Sequence, residues 1–362
     1  MPRNVSDVLM NDANVAAVTA LHQDPLFDRF SLIVNGPALF NALVTAIEID
    51  LFAALEDERP PSLERLSART GVAHARLRVL MLALCASGLV ERDADGYHNT
   101  DFARRAFAGS GAADWRDILV GWQRIYYPAF AELTAAMRDG TNTALDRYPG
   151  QEPTLYQRLE HSPATEAVLH RAMSAFTVQS LPGLLEHARL DEARHLLDLG
   201  GGDGTTSLAI TERFPHLRVT LFDVPSVAAR AAERIGPHPR IDVQAGDLFT
   251  DAFPGGADTA LFSHVLEVFA GERILSLARK AFDALPPGGR LLVYGFNPTD
   301  DETQGLYSSR LAIYLTALAT GEGMTYPAAD YERWLCEAGF TEVDTVRDLP
   351  YEHGLTVGRK PS

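Results

Sequence analysis

Three glycines spaced two apart, Gly200, Gly202 and Gly204, close the run His195-Leu-Leu-Asp-Leu-Gly-Gly-Gly-Asp-Gly204, and the next apolar run ends on an acid, Asp223. An apolar segment that breaks into glycines predicts a buried strand turning sharply into a helix. Glycine there admits positive φ and lets the backbone approach a ligand closely. An acid at the tip of the following strand is where a nucleotide-binding α/β domain meets ribose hydroxyls. The pattern points to a ribose-bearing cofactor.

The charges in the loop narrow the choice. Thr205 stands where the dinucleotide fingerprint has its third glycine, and Asp198 and Asp203 flank the turn, where carboxylates would repel a pyrophosphate. S-adenosylmethionine (SAM) has no phosphate and carries an ammonium and a sulfonium, so acids suit it. Residues 186–360 resemble the class I SAM-dependent methyltransferases, whose first motif reads like Asp198-Leu-Gly-Gly-Gly-Asp-Gly204. The resemblance implies Asp198, Gly200, Gly202 and Asp223 around SAM, with S-adenosylhomocysteine as product. Val243-Gln-Ala-Gly-Asp247-Leu248-Phe249 resembles the family's third motif, in which Asp247 meets the adenine amino group while Leu248 and Phe249 pack on the ring. Asp258-Thr-Ala-Leu-Phe-Ser263-His264 reads as a fourth strand ending at the methionine moiety, and Pro286-Pro-Gly-Gly-Arg-Leu-Leu-Val293 as a turn feeding a fifth.

The rest of the chain must position this site. Its 362 residues allow two domains, and 46% hydrophobic with 22% charged residues is ordinary for a soluble enzyme. A net charge of −16 argues against a nucleic-acid surface. Cys85 and Cys336 lie in apolar helical-looking segments and read as buried thiols rather than a disulfide. No leader is recognisable and no uninterrupted apolar run reaches about 18 residues, so a cytoplasmic protein with no membrane partner is expected. Residues 1–28 read as an arm or short helix. Apolar spacing predicts a helix from Pro37 to Leu55, a short one from Ser62, another from Ala75 to Ser87, and a hairpin around Asp95-Gly96.

Helix, turn, helix and hairpin form a winged-helix pattern. A DNA-reading version would present the second helix to the groove, and here that helix offers only His74, Arg76 and Arg78. The whole layout resembles the plant-type small-molecule O-methyltransferases and their bacterial relatives. That resemblance implies an α/β fold with a Rossmann-like SAM-binding C-terminal domain and a mainly helical, winged-helix-like N-terminal domain that forms a homodimer. The boundaries expected are 1–108 for dimerisation, 109–185 for a helical connector and acceptor-site lid, and 186–362 for catalysis. On the connector, Trp122, Tyr126, Tyr127, Met173 and Phe176 are the residues expected to stack a flat aromatic acceptor, with Trp115, Phe130 and Tyr156 nearby in sequence.

The family's catalytic residues are missing. Plant-type members deprotonate the acceptor with the histidine of a His-Asp-Trp run and hold it with two glutamates. Aligning Val265-Leu266-Glu267-Val-Phe-Ala-Gly-Glu272 on that run puts Glu267 in the histidine's place, Gly295 where the first glutamate stands, and Gly323, or Glu322 after a one-residue slip, where the second does. Three readings follow. The protein methylates oxygen with Glu267 or His264 as base; it methylates a ring or enolisable carbon; or it keeps SAM for other chemistry, as a non-methylating enzyme or a SAM-sensing winged-helix regulator. A bacteriochlorophyll C-methyltransferase in the superfamily also lacks the His-Asp-Trp run and has a similar Gly-x-Gly-Met segment, which favours carbon.

His264 and Glu267 are three apart, so one helical turn would pair them as a dyad. His353 reads as structural. Arg310, in Leu306-Tyr307-Ser-Ser-Arg310, is a candidate for holding a substrate carboxylate, against the alternative of a solvated or salt-bridged arginine. No Cys/His cluster has metal-ligand spacing, so no metal is expected. The reading is a methyltransferase for a small aromatic or phenolic natural product or an aromatic amino acid.

Overall fold

A computed structural model describes residues 12–109, 111 and 114–362. The first eleven residues of the expected arm lie outside the described residues, and the next stretch is a helix, Asp12–His22. The chain divides into two compact units, Met1–Ser110 and Gly111–Ser362.

The first unit is mainly helical. Its long helix, Phe27–Glu48, begins well before Pro37, which sits inside it. Proline already has a helical φ, so the residues ahead of it continue the helix with the loss of one hydrogen bond. Helices Leu63–Thr70 and His74–Ala86 follow; Ser62 caps the first, accepting the Arg65 N–H, and Gly71 ends it at φ +70°. Strands β1 (Val90–Arg92) and β2 (Tyr97–Asn99) pair antiparallel. Gly96 between them must be glycine, because a Cβ there would lie 2.7 Å from the Pro60 and Pro61 carbonyl oxygens. Val44, Ile47, Leu51, Phe52, Leu66, Leu77 and Met81 are buried, whereas Leu32, Ile33, Val34, Val79 and Leu82 are exposed. Phe27–Glu48 is long and apolar enough, by length and composition, to cross a membrane. Counting uninterrupted apolar residues misses it because Asp28, Asn35 and Asn41 break the run.

The second unit is built on a seven-stranded sheet. Its strands are β3 (His195–Leu199), β4 (Arg218–Asp223), β5 (Ile241–Ala245), β6 (Thr259–Ser263), β7 (Arg290–Phe296), β8 (Thr341–Leu349) and β9 (His353–Arg359). The order is β5-β4-β3-β6-β7-β9-β8; the first five are parallel, and β9 runs antiparallel to both its neighbours. Strands covered on both faces are apolar throughout, and every residue of β7 is buried. Leu196, Leu261 and Leu292 face one layer with Ile210 and Phe214, while Leu197, Phe262 and Leu291 face the other with Leu277 and Trp334. Burying each such leucine contributes about 2 kcal/mol. The order reverses beside β3, so the crevice at the carboxyl ends of β3 and β6 opens at a topological switch point, where doubly wound sheets bind ligands.

Helices from Arg116 to His187 belong to the same unit, ending in the long helix Pro163–His187. Cys336 is an exposed free thiol on helix Ala328–Ala338, not the buried one expected, and Cys85 is half-buried. Apolar neighbours in sequence do not fix which face of an amphipathic helix a cysteine takes.

Candidate active site

Gly200, Gly202 and Gly204 all adopt positive φ, +71°, +59° and +83°. A Cβ on Gly200 would lie 2.7 Å from Val265, and one on Gly204 2.6 Å from Ile235, so both need glycine for space as well. Gly202 has open space, and its N–H donates to Asp223 Oδ2 at 2.9 Å. The other Asp223 oxygen accepts the Val224 N–H at 2.7 Å, fixing the carboxylate at the tip of β4. Burial raises its pKa against the pull of these two donors. Asp198 is buried under the loop, accepts the Ser207 hydroxyl at 2.6 Å, and is pushed by burial up to about 6. Burial also opposes ionisation of Asp203 and Asp247, but hydrogen bonds win and hold both low: from Ser174 and Thr205 to Asp203, and from the Phe249 and Thr250 N–H groups to Asp247.

Every residue expected to hold the cofactor borders one cavity of about 440 Å³, within the usual range for a small-molecule site. Among the described residues Arg234 pairs with Asp203 from outside the wall, and the cavity's own arginines are engaged elsewhere. Arg230 pairs with Glu166 at 2.6 Å, and Arg273 pairs with Glu322 at 2.6 Å while lying 4.1 Å over the Phe249 ring. Phe249 in turn meets Phe269 edge-on at 5.0 Å, leaving an aromatic flank beside Leu248. An acidic loop plus an aromatic flank fits a cationic, adenine-bearing group with no phosphate.

His264 does not pair with Glu267. It takes φ +56° immediately after β6, so no common helical turn aligns the two, and its Nε2 meets His353 Nε2 at 2.8 Å instead. The tautomers follow from the partners. His353 Nδ1 lies 2.9 Å from the Pro350 carbonyl oxygen, which only accepts, so His353 carries its proton there and offers Nε2 as acceptor. His264 then donates from Nε2 and keeps Nδ1 as an acceptor, which the Ser263 hydroxyl reaches at 3.3 Å. Burial lowers both rings, His264 well below its ordinary value with His353 adding to the effect, and His353 to about 4. Both are neutral at pH 7, and His264 borders the cofactor cavity.

Glu267 lies in a single 3₁₀ turn, Leu266–Val268, outside the wall of that cavity, and is 4% exposed. Among the described residues its Oε1 has no hydrogen-bond partner. The carboxyl fills the space above Gly295, where a Cβ would lie 3.0 Å and 3.2 Å from its two oxygens. A Cβ on Gly323 would lie 2.3 Å from the Glu267 carbonyl oxygen, so Gly323 is pressed against the same turn. Glu322 is engaged with Arg273 instead. Burial pushes the Glu267 carboxyl up to about 7.

The aromatic residues of the connector separate. Trp122 and Tyr126 lie on a widened π-helical turn that sets residues four apart nearly parallel, their planes 17° apart. Tyr126 stacks on Tyr314 at 3.8 Å. Phe176 joins Trp122 to Phe296 and to His353, with ring centres 6.4, 5.4 and 6.0 Å away. Tyr127 packs beside Phe130 at 5.2 Å, and Met173, 41% exposed, borders the cofactor cavity rather than this cluster. Arg310, half-buried, has no salt bridge among the described residues: its guanidinium stacks 3.9 Å from the centre of the Trp122 ring, and Nε and Nη1 are buried without partners.

A family model for an O-methyltransferase domain matches residues 130–341, and one for an O-methyltransferase dimerisation domain matches residues 32–108. The chain belongs to the O-methyltransferase family. It is a SAM-dependent methyltransferase of the small-molecule, natural-product type. The L-tyrosine C(3)-methyltransferase of Streptomyces lavendulae is 29% identical over 91% of both chains. The tetracenomycin polyketide synthesis 8-O-methyl transferase of Streptomyces glaucescens is 31% identical over 88% of this chain and 93% of its own. The structure of the S-adenosylmethionine-dependent methyltransferase SibL superposes with a TM-score of 0.82 at 33% identity, covering 92% of this chain and 99% of that one.

Some neighbours of the methyltransferase's site escape sequence reading. His353 lies 89 residues from His264 in the chain, and only the antiparallel pairing of β9 with β7 brings it there. Tyr314, Phe296 and Tyr351 reach the aromatic cluster through equally distant contacts. Apolar aromatics at helical spacing carry no signal that separates them from ordinary core.

Proposed function

We propose that this methyltransferase, acting as a homodimer, methylates a ring carbon ortho to a phenolic hydroxyl of a small aromatic acceptor. The observation that carries the choice of base is the Glu267 carboxyl, buried over Gly295, with one oxygen unpartnered among the described residues and a pKa raised by burial to about 7. A base poised near the working pH is the efficient one. Asp198, Gly200, Gly202 and Asp223 would hold SAM at the loop, and Asp247, Leu248 and Phe249 would take its adenine. When bound, SAM supplies a methyl group on a sulfonium that leaves as a neutral thioether.

Glu267 takes the phenolic proton, and the electron density released onto the ring makes the ortho carbon the nucleophile. The ring carbon then loses its own proton and aromaticity returns. His264 is neutral on the cavity wall while the sulfonium is present, which keeps positive charge away from it, and its Nδ1 takes up the second proton only once the sulfonium has become a neutral thioether. Trp122, Tyr126 and Phe176 stack the acceptor, with Tyr127 and Met173 at its margins.

Supporting the carbon reading, the relative from Streptomyces lavendulae is by its name a C-methyltransferase. Supporting oxygen as the alternative, the relative from Streptomyces glaucescens is by its name an O-methyl transferase, and Glu267 serves either acceptor. Methyl-labelled SAM, offered with a panel of phenols and aromatic amino acids and read by NMR, decides. A new aryl C–CH₃ signal supports the proposal. An O–CH₃ signal alone overturns it in favour of oxygen.

A further inference from the structure

We propose that Arg310 is a carboxylate-binding residue, and that the acceptor is a free aromatic acid or amino acid rather than a neutral phenol. The proposal rests on the aromatic-acceptor reading above and goes beyond it by naming the group that must accompany the ring.

The argument begins from an unpaired charge. A guanidinium cannot shed its proton near neutral pH, so desolvating it costs several kcal/mol unless an anion or a set of acceptors replaces the water. Among the described residues Nε and Nη1 are both buried with no acceptor. The side chains that act most strongly on Arg310 are the phenols of Tyr126, Tyr127, Tyr307 and Tyr314, and no carboxylate is among these. The chain has 48 acidic residues against 32 basic ones. In so acidic a molecule, an arginine with two buried donors and no counterion among the described residues is unusual. Among the described residues the Ser308 hydroxyl, two residues earlier on the same helix, is also buried without a partner.

The shape of the site matches the charge. Trp122 covers one face of the guanidinium and orients it, leaving Nε and Nη1 as donors in its plane. A carboxylate oxygen at either would make a charge-assisted hydrogen bond. Trp122 continues through Phe176 to His353 and hence to His264, on the wall of the cofactor cavity. One aromatic wall therefore joins the unpaired cation to the place where the methyl group is delivered. A ligand with a flat ring and a carboxylate a few bonds away would use both ends of it.

The test uses matched acceptor pairs that differ in the carboxylate: N-acetyl-L-tyrosine with N-acetyltyramine, and 3-(4-hydroxyphenyl)propionate with 4-ethylphenol. Each is titrated by calorimetry into the full-length protein saturated with S-adenosylhomocysteine, and each is assayed for transfer from labelled SAM. Each acid is expected to bind about 10²-fold tighter than its neutral partner, the effect of completing a buried charge pair. Arg310→Met should bring the acid-to-neutral ratio near one, and Arg310→Lys should keep part of it. Equal binding within both pairs, including no binding of any probe, overturns the proposal. So does a loss in Arg310→Met that falls equally on acids and neutral partners, since that marks a packing role. Carboxylate-dependent binding with no methyl transfer would uphold this assignment and overturn the proposed reaction; transfer to carbon with no preference for the acid would do the reverse.

Discussion

Asp198 is an acid held under a loop that must receive a cation. With its pKa pushed by burial to about 6, it is neutral in the free protein at pH 5 and ionised at pH 7. A cationic cofactor favours the ionised form, so binding at low pH must first expel a proton. SAM affinity measured by calorimetry is therefore expected to fall about tenfold from pH 7 to pH 5, with proton release on binding. Asp198→Asn should bind weakly but lose that dependence. Asp223→Ala is expected to abolish binding, because the same carboxylate both faces the cavity and fixes Gly202; unchanged affinity would remove it from the site. Glu267 gives a second residue-scale expectation. Its pKa is raised in the fold, so the native state holds this proton more tightly than the unfolded chain does. The stability this confers is present below the ordinary carboxyl range and is lost as pH rises through about 7. The wild type should lose about 3 kcal/mol across that window, and Glu267→Gln, read by denaturant titration, should flatten the slope. The same variant should reduce turnover about 10²–10⁴-fold with SAM binding intact.

At the scale of elements, one glycine and one strand pairing shape the site. Gly295 on β7 leaves the space that the Glu267 carboxyl occupies. Gly295→Ala puts a methyl group about 3 Å from both oxygens, and a buried carboxyl in a packed turn has little room to yield. Turnover should fall while SAM affinity stays, and equal turnover would show that the carboxyl moves freely. His353 is a positioning residue supplied by β9. Its Nδ1–H bond to Pro350 leaves only Nε2 for His264, and so fixes where the His264 proton sits. His353→Phe frees His264 to adopt the other tautomer and to protonate, so kcat should drop on the acidic side of its pH profile, whereas simple loss of packing would lower kcat at every pH. The glycine loop and its acid were legible in the sequence because they lie within one strand–turn–helix–strand unit. The expected His264–Glu267 dyad was not, since helical spacing presumes a helix, and the positive φ of His264 ends the possibility of one.

For the whole molecule, the family's dimerisation domain explains an apolar face that a monomer would not keep. Leu32, Ile33 and Val34 are 54–69% exposed on Phe27–Glu48, and Val79 and Leu82 are exposed on helix His74–Ala86. Large apolar side chains exposed in this number mark an interaction surface. Ile33→Asp should shift the protein from dimer to monomer in light scattering, with the SAM-binding unit still folded by circular dichroism; a dimer that persists would place the interface elsewhere.

Local chemistry decided what the sequence could decide alone. A strand breaking into three glycines, an acid one strand later, an acid with apolar partners after the next, and uninterrupted apolar strands are all short-range patterns, enough for the fold class and the cofactor. The expected arginine of the acceptor site was in view too, but not its state, because charge says nothing of whether a counterion is near. Tertiary structure decided the rest: that Arg310 stands over Trp122 with two donors unpaired, that His264 meets His353, and that the Glu267 carboxyl lies over Gly295. Each joins groups far apart in the chain through sheet pairing or helix packing. Burial, which no single position in a sequence reveals, then sets their protonation.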